Sequence, residues 1–469
     1  MSRSRADYEF VVLGAGPAGL IAARAAAALG AKTAIIERAL PGGTCLNTGC
    51  VPSKALIRTA KCYAEMREGE NYGARSPTHI KVDFAAAMKR MRRIRARLQR
   101  KVAPPRLSAL GVDVYCGQAS FAGPTSVVVD GKTLYFKKAL IATGSRPAIP
   151  PIPGLAEAGY WTNENVFDWT ELPSRLLIFG GGPLGCELAQ AFRRLGSRVI
   201  IVEREAMFLG QEERDAAEIL SDALARDGVE IHLNTEAVRV RSRGKTKRVD
   251  LLSDGDGWEV VVDAILVGVG RAPNVEGLNL AAAGVGCDAE SGVRVDDFLR
   301  TTNPRIYAAG DVCFEHQFTH IEGASSHLVV HNALRRGRER LSALTSPWCT
   351  YTDPEIAHVG LYVREAREKG IPVKTFTVLM HDVDRAIADG EEEGFVKIHA
   401  KEGTDRILGA TVVARHAGEM INDLTLAIGA GIGLRALARV IHPYPTQAAA
   451  VKMAADAYLA SLKPTTRRS

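Results

Sequence analysis

Tyr8-Glu9-Phe10-Val11-Val12-Leu13-Gly14-Ala15-Gly16-Pro17-Ala18-Gly19 is an apolar strand that runs straight into a glycine pattern. An Ala-rich helical stretch follows, and then a second strand, Thr33-Ala34-Ile35-Ile36, which ends in Glu37. Strand, glycine turn, helix and acid at this spacing form the fingerprint of a dinucleotide-binding fold. Gly14 makes the turn, Gly16 lets the backbone approach a pyrophosphate, and Gly19 packs helix on strand. Pro17 and Ala18 open the helix at the pyrophosphate, and Glu37 stands where a carboxylate holds the ribose hydroxyls.

The pattern occurs twice. Leu176-Leu177-Ile178-Phe179 enters Gly180-Gly181-Gly182-Pro183-Leu184-Gly185, and Arg198-Val199-Ile200-Ile201-Val202 ends in Glu203. Two such folds let one hold FAD while the other admits a nicotinamide, the arrangement of a two-electron relay. A carboxylate at Glu203 favours the free 2′-hydroxyl of NADH and repels the 2′-phosphate of NADPH. The adjacent Arg204 could accommodate that phosphate, so NADH is the expected coenzyme and NADPH the alternative.

Between the first fingerprint and the next helix lies Gly42-Gly43-Thr44-Cys45-Leu46-Asn47-Thr48-Gly49-Cys50-Val51-Pro52-Ser53-Lys54. Its two cysteines, five positions apart among small and turn-forming residues, can close into a disulfide and reopen as a dithiol. The other cysteines, Cys62, Cys116, Cys186, Cys287, Cys313 and Cys349, show no metal-ligand spacing and read as small buried hydrophobes. No metal site is expected.

The chain has 469 residues, too many for one core, so several domains are expected. At 46% hydrophobic and 24% charged residues it reads as a globular protein. No apolar run is long enough to span a bilayer, and no apolar signal region follows Met1–Asp7, so a cytoplasmic protein is expected. Eight cysteines in such a length are not a secreted disulfide scaffold, and a net charge of +7 does not argue for nucleic acid. The basic run Lys89 to Lys101 reads as a solvated face on a packed helix, with Met91, Ile94 and Leu98 on the apolar side. The alternative is a docking surface for an acidic partner such as a lipoyl carrier.

The Gly42–Lys54 run closely resembles the redox-active segment of the flavin-dependent disulfide reductases, the family of dihydrolipoamide dehydrogenase, glutathione reductase and mercuric reductase. Other motifs agree with it. Ala139-Leu140-Ile141-Ala142-Thr143-Gly144 resembles the turn at which those enzymes leave the flavin domain. Ala264 to Asn274, through Gly270, resembles the end of the nicotinamide fold. Thr301 to Val312, with Gly310 and Asp311, resembles the second flavin motif, whose aspartate binds the ribityl chain. Cys349 to Gly360 resembles the start of the dimerisation domain.

The resemblance implies an α/β protein with two Rossmann-like domains, the NAD domain inserted in the FAD domain, and a C-terminal α+β dimerisation domain. The expected bounds are 1–152 and 271–341 for FAD, 153–270 for NAD(P)H and 342–469 for dimerisation, with a helix from about His320 to Leu341. It implies a homodimer in which NADH reduces FAD and FAD reduces Cys45–Cys50. Cys50 would lie against the flavin, and Cys45 would attack the substrate. Lys54 would pair with Glu187 near the flavin, and Gly43, Thr44, Thr143, Gly144 and Gly270 would line the cofactors.

One departure matters. Dihydrolipoamide dehydrogenase and glutathione reductase place a His and a Glu where Tyr444 and Ala449 stand when Ile441-His442-Pro443-Tyr444-Pro445 is aligned on Pro445. A phenol titrates near ~10 and is a poor base near neutral pH. Mercuric reductase also has a Tyr here, yet its C-terminal cysteine pair is missing from this sequence. His442 could serve as proton carrier; the other reading is a histidine that shapes the turn. Three electron acceptors therefore compete: a small disulfide or lipoyl group, a thiophilic metal ion such as Hg(II) or Cu(II), or a partner sensed with little turnover.

Overall fold

The computed structural model describes residues 6–75, 80–314 and 319–462. The chain divides into two compact units. One comprises Met1–Thr59, Lys81–Leu172 and Ala264–Leu344, the other Ala60–Ile80, Pro173–Asp263 and Thr345–Ser469.

The first unit opens with β1 (Tyr8–Leu13), α1 (Pro17–Ala28), β2 (Thr33–Glu37), α2 (Gly43–Asn47) and α3 (Cys50–Arg67), which crosses the division between the units at Thr59. Helix α4 (Phe84–Gln99) follows, then β3 (Val112–Cys116), β4 (Ser120–Gly123), β5 (Ser126–Val129) and β6 (Lys132–Ile141). The strands order as β3-β2-β1-β6-β5-β4, with β1 parallel to both β2 and β6. Phe10 and Val12 of β1 face a core that includes α1, whereas Val11 and Leu13 face a second core under β4 and β5. Burial on both faces explains the unbroken apolar run Phe10–Leu13 in this strand. The segment from 55 to 101, read as mostly helix, resolves into α3 and α4.

In the second unit, β7 (Arg175–Phe179), α5 (Pro183–Arg194), β8 (Arg198–Val202), α6 (Arg214–Asp227) and β9 (Val229–His232) repeat the pattern, with β8 parallel to β7 and β9. An antiparallel meander over Thr235–Arg243, Thr246–Ser253 and Asp256–Val262 follows.

Back in the first unit, β10 (Ile306–Ala308) pairs parallel to β6, and α7 (Thr319–Leu334) packs against α1. This helix stops at Leu334, short of the expected Leu341. Arg336 takes the left-handed conformation at φ +55°, and the Asn332 side chain hydrogen-bonds both the N–H and the C=O of Glu339, which turns the chain away.

The C-terminal part of the second unit is a five-stranded antiparallel sheet. It comprises β11 (Pro347–Thr350), β12 (Glu355–Gly360), β13 (Val373–Leu379), β14 (Phe395–Lys401) and β15 (Ile407–Ala414), in the order β11-β12-β15-β14-β13. Helices α8 (Ala417–Gly429) and α9 (Ala449–Ser461) close one core with it through Met420, Leu424, Val451 and Tyr458. Among the described residues no helix is long and apolar enough to cross a membrane.

Candidate redox and dinucleotide site

The two fingerprints fold alike. Gly14 and Gly180 both take φ +102°, which only glycine adopts without strain. A Cβ on Gly19 would lie 1.9 Å from Gly14 O, and one on Gly185 would lie 2.0 Å from Gly180 O, so helix and turn approach too closely for any side chain. Neither Gly16 nor Gly182 caps its helix with a side chain. The acids are braced identically. Glu37 accepts from Ala15 N at 2.6 Å and Ala39 N at 2.9 Å, and Glu203 accepts from Gly181 N at 2.7 Å and Glu205 N at 2.9 Å. Each carboxylate is thereby held in front of a glycine loop whose helix start offers N–H groups to an anion. Two dinucleotides fit this arrangement.

The redox segment lies directly on the first loop. Gly42 N donates to Ala15 O at 2.7 Å, and a Cβ on Gly43 would meet Gly16 Cα at 2.7 Å. Cys45 is half-buried in α2, while Cys50 is exposed as the first residue of α3, at the positive end of that helix. Thr44 O accepts from Thr48 N at 2.8 Å. Lys54 is half-buried in the first turn of α3.

The basic run has a function that the sequence reading missed. Arg95 Nη1 donates to Asn47 O at 3.1 Å, and Gln99 Nε2 donates to Asn47 Oδ1 at 2.9 Å. Arg90 reaches Ala55 O and Thr59, and Arg92 donates to Trp169 O at 2.6 Å. Met91 is buried, as expected for the apolar side. Helix α4 is thus a brace for the loop between the cysteines. The signal was Arg at every second or third position beside an apolar stripe.

Thr143 and Gly144 are fixed by Asn274: Thr143 Oγ1 donates to Asn274 O at 2.8 Å and Asn274 N to Gly144 O at 2.9 Å. Gly270 takes φ +122° and accepts from Ala148 N at 2.9 Å. Gly310 takes φ +82°. Asp311 Oδ2 accepts from Ser145 Oγ at 2.5 Å and lies 3.5 Å from Arg271 Nε. Ser145 and Arg271 were not singled out by sequence reasoning, although each directly follows a residue that was. Asn163 extends the group by donating to Thr48 O at 3.1 Å while its Oδ1 accepts from Arg271 at 3.4 Å.

Glu187 is buried in α5 and accepts from Tyr351 N at 2.9 Å. Tyr444 is 78% exposed, and its hydroxyl donates to Asp384 at 2.9 Å, which pushes the phenol above its ordinary value. His442 Nε2 lies 3.5 Å from Asp423, and its Nδ1 lies 3.4 Å from Val440 O, within its own turn. The reading of six buried cysteines needs correction. Cys186 is buried and burial pushes its thiol well up, but Cys62, Cys116 and Cys287 are exposed. Cys116 ends an outer strand of its sheet, and Cys287 sits in a two-residue hairpin strand, where little packs over a side chain. Among the described residues no group of three or more His, Cys, Asp or Glu side chains could hold a metal ion.

Comparison with known proteins agrees with this geometry. Residues 8–337 match the pyridine nucleotide-disulphide oxidoreductase model, and residues 346–455 match the dimerisation domain of the same name. The chain is 33% identical to mercuric reductase of Staphylococcus aureus, covering 96% of this chain and 82% of that one. It is 34% identical to dihydrolipoyl dehydrogenase of Chlamydia muridarum, covering 94% of each. It superposes with a TM-score of 0.85 and 29% identity on the Cu(II) complex of the HOCl-induced flavoprotein disulfide reductase RclA from Escherichia coli, over 95% of this chain and 99% of that one.

Proposed function

The chain belongs to the pyridine nucleotide-disulphide oxidoreductase family, and from that premise we propose that it passes electrons from NADH through Cys45 and Cys50 to a thiophilic metal ion, Hg(II) or Cu(II). Bound FAD supplies the two-electron exchange between nicotinamide and disulfide that this family uses. The dimerisation domain supports a homodimer.

The observation behind the choice of acceptor is the turn at Tyr444. Reducing a disulfide by NADH consumes a proton from solution and delivers two protons to sulfur. Reducing Hg(II) to the metal, or two Cu(II) to Cu(I), takes two electrons and releases the proton of NADH. The second balance delivers no proton to a substrate sulfur, so it needs no proton donor beside the dithiol. Tyr444 is tied to Asp384 with its phenol pushed up, Ala449 has no titratable group, and His442 is engaged in its own turn. The names of two relatives, a mercuric reductase and a Cu(II) complex, point the same way. The second reading, a disulfide or lipoyl acceptor, rests on the dihydrolipoyl dehydrogenase likeness. It loses part of its docking surface, because Arg90, Arg92 and Arg95 serve internal carbonyl groups.

NADH oxidation with Hg(II), Cu(II), lipoamide and glutathione disulfide, run side by side, tests this reading. The metal ions should show kcat/KM at least about tenfold above either disulfide, which corresponds to about 1.4 kcal/mol of transition-state preference. Faster lipoamide turnover would replace the metal reading with the disulfide one. Failure with all four would favour a low-turnover redox sensor.

For the coenzyme, Glu203 fronts the second loop, and Arg204 is drawn to Glu205 at 3.2 Å. We expect kcat/KM for NADH to exceed that for NADPH by about tenfold or more, and Glu203→Ala to narrow the ratio. A wild-type preference for NADPH would refute the assignment.

A further inference from the structure

Two successive carbonyl groups between the cysteines are each met by a donor from a distant stretch of the first unit. Asn47 O accepts from Arg95 Nη1, and Thr48 O accepts from Asn163 Nδ2 at 3.1 Å. Thr48 is where the chain doubles back. Its N–H donates to Thr44 O at 2.8 Å, and a Cβ on the following Gly49 would lie 3.0 Å from Thr44 O and 3.4 Å from Cys45 Cα. The residue before Cys50 thus rests on the backbone of Cys45, so whatever fixes Thr48 also fixes how the two cysteines approach each other.

Asn163 is itself firmly held. It is 3% exposed and lies in a turn closed by its neighbours, in which Asn165 Oδ1 accepts from Thr162 N at 2.8 Å and Thr162 Oγ1 accepts from Glu164 N at 3.1 Å. Trp161 anchors the segment by pairing in parallel with Leu266. The partners dictate which way the amide points. Thr48 O can only accept and Arg271 Nη1 can only donate, so the amide nitrogen faces the loop and its oxygen faces the guanidinium at 3.4 Å. Arg271 in turn donates to Ser145 Oγ at 2.7 Å, beside Asp311.

We propose that Asn163 is a positioning residue for the Cys45–Cys50 couple: by holding Thr48 O it keeps the thiols in register and favours disulfide over dithiol. The inference rests on the reading that these two cysteines exchange electrons. In the disulfide the covalent bridge itself holds the ends of the loop together, so loss of the Asn163 tie frees little. In the dithiol that bridge is gone, and the ties from outside confine the loop. Cutting one of them gives the dithiol conformational freedom that the disulfide does not gain, which favours the reduced form. One such hydrogen bond contributes a factor of about five to an equilibrium.

The test equilibrates oxygen-free holoprotein at pH 7 with mixtures of reduced and oxidised dithiothreitol. Closing the disulfide passes two electrons and two protons from the thiols to the oxidised reagent, which becomes its own dithiol. After acid quenching and alkylation, mass spectrometry reads the tryptic peptide of residues 39–54, which carries both cysteines and no other. Asn163→Asp is the deciding variant. It has the same volume and still accepts from Arg271, but its ionised carboxylate has no hydrogen to give Thr48 O. It should move the equilibrium toward dithiol by at least about threefold, which is about 14 mV for a two-electron couple. Asn163→Ala should move it the same way. A purely structural role would lower the urea midpoint and leave this equilibrium unmoved. A shift of less than about threefold with Asp, or a shift toward disulfide, overturns the proposal. If the Asp variant does not retain FAD at pH 7, Asn163→Ala takes its place under the same criterion. Wild-type cysteines that form no disulfide at any reagent ratio would instead strike at the redox reading itself.

Discussion

Cys45→Ser is expected to remove turnover of every acceptor, disulfide or metal, by about 10⁴-fold or more in kcat/KM, while NADH still decolourises the protein. A serine hydroxyl neither closes a disulfide nor forms a soft ligand at neutral pH, so both proposed chemistries end with it. The substitution is nearly isosteric. Helix α2 is held from outside by Arg95 and Gln99 on Asn47 and by Gly42 N on Ala15 O. The second fingerprint, with Glu203 on its loop, is in the other compact unit, so nicotinamide-coenzyme binding is expected to be unchanged. Stopped-flow absorbance separates the two halves of the reaction. Retention of turnover within tenfold of wild type would remove Cys45 from the chemistry and with it the proposed route for electrons.

The backbone framework was legible because glycine and apolar strands leave few choices. Gly14, Gly19, Gly180 and Gly185 sit where a Cβ would collide with backbone, so their spacing dictates the turn wherever it occurs. The apolar runs Phe10–Leu13 and Leu176–Phe179, each running into a glycine turn, read as strands buried on both faces. What could not be read were side-chain partners chosen by tertiary folding. Arg95 and Gln99 looked like members of a charged face, and only the placement of α4 against α2 shows that they hold the loop between the cysteines. Ser145, Arg271 and Asp311 come from three distant stretches. The misjudged cysteines fail for the same reason. Composition favours burial of Cys on average, but an outer strand or a two-residue hairpin offers Cys116 and Cys287 nothing to be buried against.

Asp353→Asn should cost about 3 kcal/mol of stability, far more than its side chain would suggest, because it removes the centre of a mostly buried ion network in the second unit. Asp353 Oδ2 lies 2.8 Å from Arg194 Nη1, and Oδ1 lies 3.4 Å from Lys61 Nζ and 4.0 Å from Arg415 Nε. Arg194 also meets Asp227 at 2.9 Å, and Arg415 meets Glu65 at 2.5 Å and Glu391 at 2.8 Å. Lys61 and Glu65 both lie on α3, the helix that starts with Cys50. Burial alone would raise the Asp353 carboxyl, but Lys61, Arg194 and Arg415 outweigh it and hold the group below the usual aspartate range. A carboxyl depressed in the folded state contributes its stability fully above its unfolded value of about 3.9 and loses it as pH falls through the depressed value. The gap between wild type and Asp353→Asn in urea unfolding should therefore be full at pH 7 and shrink as the pH drops below about 4. Glu218→Gln is the internal contrast. It breaks the Arg214–Glu218 pair, in which both side chains are more than half exposed, and should cost under about 0.5 kcal/mol. If Asp353→Asn costs no more than Glu218→Gln at pH 7, the network does not stabilise this unit, and the ion pairs around Lys61 and Glu65 cannot be what fixes the far end of the helix that presents Cys50.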